Sequence, residues 1–539
     1  MNRRNFLKNT ATVSALSTIS FSAIAMPLSL IKNDEVDFIA DFELNEITVD
    51  ELQAKMQNGK ISSKTLTEMY LRRIAQIDKN GPKLNAIIEL NPDALAIAVK
   101  MDEERKRGNN RGPLHGIPIL IKDNINTGDK MQTTAGSLAL EGNVASADAF
   151  IVTKLREAGA VLLGKTNLSE WANFRSNRSC SGWSSRGGQT KNPYILDRSP
   201  SGSSSGSGAA VSANLCAIAI GTETNGSIIA PASYCGVVGF KPTVGLWSRS
   251  GIIPISTTQD TAGTMCRTVT DTAILLGALT GVDRDDAITK TSEGKTYSDY
   301  TQFLKTDALK GKRLGIEKSF LNGHEGVVAL YKSAIEKLKE LGAEIIEIEL
   351  LKDMEAIGRA SVLQPEFKAG VNAYLAKANA KVKTLTDVIA FNKENEAIAM
   401  PYFKQEILEA SNKETDLSSP TYKANLAKIN SAKNIISNLM EKNKLDAVVG
   451  TSYGIPSLID LFNGDYGDDF YFASPAAMAG YPHITVPMGR LFELPVGLSI
   501  FAGAYQEPVV LAFGYAFEQA TKHRKAPKFL KNSNFSSGV

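Results

Sequence analysis

Serines and glycines crowd two neighbouring stretches of this chain: Ser199-Pro-Ser-Gly-Ser-Ser-Ser-Gly-Ser-Gly208 and Thr222-Glu-Thr-Asn-Gly-Ser227. Side chains this small let backbone N–H groups approach a ligand closely, and glycine permits the dihedrals such loops need. Each stretch also offers a serine as nucleophile. A flexible linker has a similar composition, but linkers do not alternate with apolar runs such as Ala209–Ile220.

A serine nucleophile needs a base. Gly202-Ser-Ser-Ser-Gly206 matches the G-x-S-x-G elbow, which requires an apolar strand before it and a histidine downstream. Leu196–Ser201 is no core strand. Of the histidines, His115, His324, His483 and His523, His324 lies in a glycine-rich turn and His523 in a basic tail. His483 is the base that a Ser-His-Asp arrangement would use. Lysine offers a better one. Ile117-Pro-Ile-Leu-Ile-Lys122 reads as an apolar strand delivering an amine at its end. Burial there disfavours the charged amine and lowers its pKa, and a neutral lysine accepts a proton from a serine hydroxyl. Ser227 opens a helix whose N–H groups and positive end would face an oxyanion, with Thr224, Asn225, Gly226 and Ser227 as donors. The pattern permits a Lys–Ser–Ser hydrolase; spacing alone does not select it.

The elements that must hold these residues alternate. Thr48-Val-Asp-Glu51 is a capping box opening a helix. Leu66, Tyr70, Ile74 and Ile77 give a second helical stripe, and a third helix covers about 92–107. A helix ending at Gly159 feeds a strand, Ala160–Gly164, and Lys165–Glu170 begins another helix. Residues 172–200 are irregular, as functional surfaces often are. Gly208–Asn214 reads as a helix, Leu215–Ile220 as a strand, Gly236–Pro242 as another, and Asp271–Leu279 as a helix. Further strands fall at Gly311–Ile316, Glu344–Ile348, Ala447–Gly450, Ile484–Pro487 and Gly497–Phe501. Helices fall at Val327–Leu341 and Val509–Thr521, and 352–443 is mostly helical. This alternation argues for an α/β layered fold.

Bulk properties exclude several classes. The chain has 539 residues and a formal net charge of +3, and the excess resides in Arg3, Arg4 and Lys8. A nucleic-acid binder would show a strong basic surplus. Cys180, Cys216, Cys235 and Cys266 are widely spaced and form no metal pattern; they read as buried thiols, with one disulfide left open. Asn2-Arg-Arg-Asn-Phe-Leu-Lys8 matches the twin-arginine export pattern, Ala11–Ile24 is modestly apolar, and Ala23-Ile-Ala25 offers a cleavage site. Residues 1–25 are thus expected to be a signal peptide and 26–45 a tether. No charge interrupts Lys8 to Lys32, so an uncleaved anchor is the alternative, though its Ser and Thr make a poor membrane span. The expected location is periplasmic or secreted, through the twin-arginine machinery, without stable membrane insertion after cleavage.

Many ordered segments resemble the amidase signature family of serine amide hydrolases. They are Gly116–Asn124, Thr133–Ser137, Gly159–Trp171, Gly187–Pro193, the Gly/Ser loop, Gly221–Ser227, Gly236–Gly245, Asp260–Gly263 with Arg267, Tyr481–Gly489 and Leu494–Gly503. Gly221–Ile228 and Arg249–Ser256 look closest to bacterial peptide amidases. The resemblance implies one domain over 46–539, a large twisted mixed β-sheet covered by helices on both faces, with 352–443 shaping the substrate site. It implies Ser227 as nucleophile, Ser203 as the middle serine after a cis peptide bond, Lys122 as base and Ser204 as a support for the lysine. No metal or organic cofactor is implied. Ser201 and Ser205 stand where glycine is commoner, and Asn225 where glycine or aspartate is usual, which bears on substrate rather than on chemistry.

The implied substrate is a small-molecule or peptide amide, including C-terminal peptide amides, cleaved to acid plus ammonia or amine. Fatty acid and aryl acylamides are alternatives. Amidotransferase A subunits share the family, but they act in the cytoplasm with partner subunits. A catalytically silent periplasmic binding protein on the same scaffold is the reading from a different class, and Lys122, Ser203 and Ser227 argue against it.

Overall fold

The computed structural model describes residues 42–466 and 469–532; the signal peptide and most of the tether expected from the sequence lie outside them. A compact unit begins at Leu44. Thr48 caps the first helix, Val49–Gln57, with its side chain on the Glu51 N–H and the Glu51 carboxylate on the Thr48 N–H. Two residues earlier, the Glu46 carboxylate pairs with Arg524 near the C-terminal end.

In chain order the strands are β1 (Ile87–Leu90), β2 (Pro118–Lys122), β3 (Val161–Thr166), β4 (Trp183–Ser184), β5 (Gly188–Gln189), β6 (Ile218–Glu223), β7 (Val238–Lys241), β8 (Thr261–Cys266), β9 (Arg313–Glu317), β10 (Glu344–Ile348), β11 (Ala447–Thr451), β12 (His483–Leu491) and β13 (Leu494–Phe501). Short β4 and β5 pair only with each other; the other eleven form one sheet in the order β1-β3-β2-β6-β8-β7-β12-β13-β11-β9-β10. β2 runs parallel to both β3 and β6, and β9 parallel to β10 and β11, while the remaining pairs are antiparallel. Every residue of β2, β3, β6, β7, β8, β11 and β13 is buried, so both faces of the sheet are covered.

Several boundaries differ from the sequence expectation, for physical reasons. The helix after the Gly/Ser loop is Ser205–Ser212, three residues early. Serine and glycine are weak helix formers, but close packing requires them: a Cβ on Gly206 would lie 2.3 Å from the Ala86 carbonyl oxygen. The following strand starts at Ile218 and continues through Glu223, because Gly221, Thr222 and Glu223 pair with Gly263, Ala262 and Thr261 of β8. Lys165–Glu170 does not begin a regular helix. Lys165 and Thr166 complete β3, and the one turn at Glu170–Asn173 has Trp171 and Ala172 at positive φ. No disulfide forms, since all four cysteines are free and buried. Among the described residues no helix is long and apolar enough to cross a membrane.

The 352–443 region supplies four longer helices, Leu363–Lys377, Leu385–Glu394, Glu406–Lys413 and Pro420–Asn443. The first three pack on a separate apolar cluster with Trp171, Ile253 and Ile255. Buried Arg175 ties this layer down. It pairs with Glu170, donates to the carbonyls of Ala399 and Phe403, and stacks on Trp183.

Candidate active site

Three neighbouring features of the sheet converge: the end of β2, the end of β6 and the N-terminus of helix Ser205–Ser212. Lys122 is the last residue of β2 and is fully buried. Its Nζ donates to Ser203 Oγ at 2.7 Å, Ser204 Oγ at 3.1 Å and Thr222 Oγ1 at 2.9 Å. Among the described residues no carboxylate touches it. Burial drives its pKa from 10.5 down to about 7, against the opposing pull of Asp260 and Glu223. The amine is therefore partly neutral near pH 7, as a proton acceptor must be.

Ser203 follows a cis peptide bond from Gly202, where the resemblance expects one. Ser204 is braced by β6: its hydroxyl donates to the Thr222 carbonyl at 3.0 Å and accepts from the Thr222 N–H at 3.1 Å. Thr222 was not singled out from the sequence, yet it holds both the lysine and Ser204. Its Oγ1 also accepts from Asn124 Nδ2 at 3.0 Å. The signal was present in its place one residue after Gly221, at the end of the strand beside β2.

Ser227 sits at the end of the second loop. Its carbonyl accepts from the Ser204 N–H at 3.1 Å, which ties the two serine loops together. It is 8% exposed and opens into a cavity of about 490 Å³ lined by Phe174, Gly202, Asn225, Tyr453 and Tyr471. A second lobe of about 690 Å³ contains Thr222, Glu223 and Asp260 and shares Ala172, Thr224 and Ile255 with the first.

Ser227 does not itself open the following helix, which runs Ile229–Tyr234 with Ile228 as its N-cap. Its leading N–H groups, of Ile228 and Ile229, are taken by the buried Glu223 carboxylate at 2.8 and 3.0 Å. The N–H groups of Asn225, Gly226 and Ser227 donate to no protein acceptor among the described residues. The loop is pinned from two sides. Thr224 Oγ1 donates to Asp260 at 2.5 Å, and Asp260 also accepts from the N–H groups of Ile255 and Ser256. Gly226 has φ +81°, and a Cβ there would lie 2.0 Å from the Tyr471 hydroxyl. Glycine is thus required twice, for dihedral and for space.

The histidine alternative finds no support in the geometry. His483 lies in β12, and its Nε2 meets Ser499 Oγ at 2.6 Å rather than a serine of either loop. Burial holds its pKa well below 6.5. Ser204, at the centre of the G-x-S-x-G match, faces Lys122 and Thr222. Among the described residues no group of three or more His, Cys, Asp or Glu could hold a metal ion.

The same arrangement of segments occurs in known proteins. The family profile described as Amidase matches residues 65–511. A probable amidase of Arabidopsis thaliana is 41% identical over 521 residues, which is 94% of this chain and 96% of that protein. The X-ray structure of native peptide amidase from Stenotrophomonas maltophilia superposes with a TM-score of 0.86 at 46% identity, over 90% of this chain and 99% of that one. The peptide amidase PAM in complex with the competitive inhibitor chymostatin gives a TM-score of 0.85 at 47% identity, over the same shares.

Proposed function

The chain belongs to the amidase signature family and is an amide-hydrolysing enzyme, and from that premise we propose that it cleaves C-terminal peptide amides to acid and ammonia through Ser227, Ser203 and Lys122. The observation that carries this reading is the 2.7 Å contact between a fully buried Lys122 amine and Ser203 Oγ, with no carboxylate in hydrogen-bond contact with the amine among the described residues. The peptide preference is supported by the likeness to peptide amidase.

In the proposed course, neutral Lys122 takes the Ser203 proton while Ser203 takes that of Ser227. The Ser227 oxygen bonds to the amide carbon, and the carbonyl oxygen becomes an oxyanion held by backbone N–H groups of residues 224–227. Lys122 returns its proton to Ser203, which passes one to the leaving nitrogen as the C–N bond breaks. Ammonia departs and leaves an acyl ester on Ser227. Water then attacks that ester along the same relay, regenerating the serine.

The test is intact-mass analysis after treatment with a serine-reactive fluorophosphonate, with Ser227→Ala and Lys122→Ala alongside. One adduct, lost in both variants, is the expected result, followed by turnover of peptide amides. An adduct surviving Ser227→Ala would overturn the nucleophile. No adduct on folded protein would favour a silent binding scaffold.

Export is a separate part of the proposal. It is supported by Arg3-Arg4, the apolar run behind them and Ala23-Ile-Ala25. A reporter fused to residues 1–25 is expected to leave a bacterial cytoplasm, and to stay when Arg3 and Arg4 are both lysine. Export of that double variant would refute the twin-arginine route.

A further inference from the structure

We propose that the Gln259 side chain sets the direction of the Asn225 N–H as an oxyanion donor, which makes Gln259 a positioning residue for amide hydrolysis. This rests on the reading of Ser227 as nucleophile and of the loop N–H groups as its oxyanion donors.

Gln259 is buried and lines neither lobe of the cavity. Its Nε2 donates to the Thr224 carbonyl at 3.2 Å. That carbonyl belongs to the peptide joining Thr224 to Asn225, which is trans. A trans peptide is planar and carries its C=O and N–H on opposite sides. Fixing the carbonyl on Gln259 therefore fixes the Asn225 N–H in the opposite direction. Asn225 and Ser227 line the same lobe, which Gln259 does not reach. The next peptide is held in the same way: the Tyr471 hydroxyl donates to the Asn225 carbonyl at 2.9 Å, on the side opposite the Gly226 N–H.

Gln259 is itself braced by the helical layer. Its N–H donates to Ser256 Oγ at 3.2 Å, and Ser256 Oγ donates to the Glu366 carboxylate. Glu366 is buried on helix Leu363–Lys377. It also accepts from the Thr258 N–H at 3.0 Å and from the Tyr422 hydroxyl of helix Pro420–Asn443 at 2.7 Å. Thr224 is therefore gripped twice by one turn, through its hydroxyl on Asp260 and its carbonyl on Gln259, and that turn is anchored in two helices. Lying outside both lobes, Gln259 acts on the reaction only through the peptide it holds.

The experiment compares inhibition by N-acetyl-phenylalaninal and by N-acetyl-phenylalaninol. The aldehyde carbon bonds to Ser227 Oγ and leaves its oxygen as the oxyanion, whereas the alcohol forms no such bond. Gln259→Met is similar in length and lacks the donor. It should lower the aldehyde-over-alcohol preference by about tenfold or more, and kcat for N-acetyl-phenylalanine amide by a similar factor. The alcohol's inhibition constant and KM should stay near the wild-type values. Glu366→Gln weakens the brace rather than the holder, and should lower the same preference several-fold. A preference kept at the wild-type value in both variants overturns the proposal. Equal weakening of aldehyde and alcohol also overturns it, since that marks a merely structural role. An aldehyde no tighter than the alcohol on the wild-type protein overturns the nucleophile reading and the proposal with it, so the two failures are told apart.

Discussion

Lys122 Nζ lies 2.7 Å from Ser203 Oγ in a place where neither side chain reaches solvent. The amine has a pKa of about 7, lowered by burial. Proton uptake below that value charges it and removes the acceptor. Hydrolysis is therefore expected to rise with pH through about 7 and then level off. Lys122→Arg remains charged at every accessible pH and should be inactive throughout. A pH–rate profile of kcat/KM checks this; a flat profile from about pH 5 to about pH 9 would contradict the base assignment.

Ser203 and Ser204 are neighbours with different duties. Among the described residues the Ser203 hydroxyl meets the lysine alone, whereas Ser204 also bridges the N–H and carbonyl of Thr222. Ser203→Ala should lower kcat by about a thousandfold or more with little change in stability. Ser204→Ala takes the acceptor from the buried Thr222 N–H, while the Thr222 carbonyl keeps Lys122 Nζ at 3.3 Å, and should cost about 1–3 kcal/mol of stability, with the smaller loss of rate. Urea midpoints and kcat for the two variants give the ranking, and the reverse order would be incompatible with these roles.

Glu223 offers a test that separates structure from charge. Its carboxylate caps the N–H groups of Ile228 and Ile229 just after Ser227. Glu223→Ala strands both donors and should destabilise the fold by about 3 kcal/mol. Glu223→Gln keeps an acceptor but removes a negative charge that favours the protonated form of Lys122. Its pH–rate midpoint should therefore move down. A midpoint that moves up would show that the carboxylate does not act on the lysine in this way.

The four thiols give a prediction independent of catalysis. All are buried, and burial raises the pKa of each, to about 12 for Cys180 and Cys216. Thiolate is the reactive form. Native protein should take up no iodoacetamide at neutral pH, while urea-unfolded protein should react at all four cysteines. Rapid labelling of the native state, or a melting temperature lowered by reductant, would contradict reduced, enclosed thiols.

Much of this site was legible from residue type and order. Five apolar or proline residues before Lys122 announced a buried lysine at a strand end, and two small-residue loops announced close backbone approach. Tertiary contacts were the harder part. Thr222 binds Lys122 only because β6 lies beside β2, and Glu223 takes the helix N–H groups only after the Thr224–Gly226 turn. β8 went unread because Thr261–Cys266 mixes polar and small residues without a strong period; its partners on both sides decide it. The early start of helix Ser205–Ser212 has the same cause, a weak local preference overridden by packing on Ala86 and Asn167.

The place of the β12–β13 hairpin in the sheet also sets a timetable for the chain's birth. This hairpin, synthesised after both of its neighbours, is wedged between β7 and β11. Until it leaves the ribosome, both neighbours carry unpaired edges, which are templates for wrong pairing. At about 5–20 residues per second, β7 waits on the order of tens of seconds. Any fragment that stops before His483 is left with β7 and β11 and neither of the strands that join them.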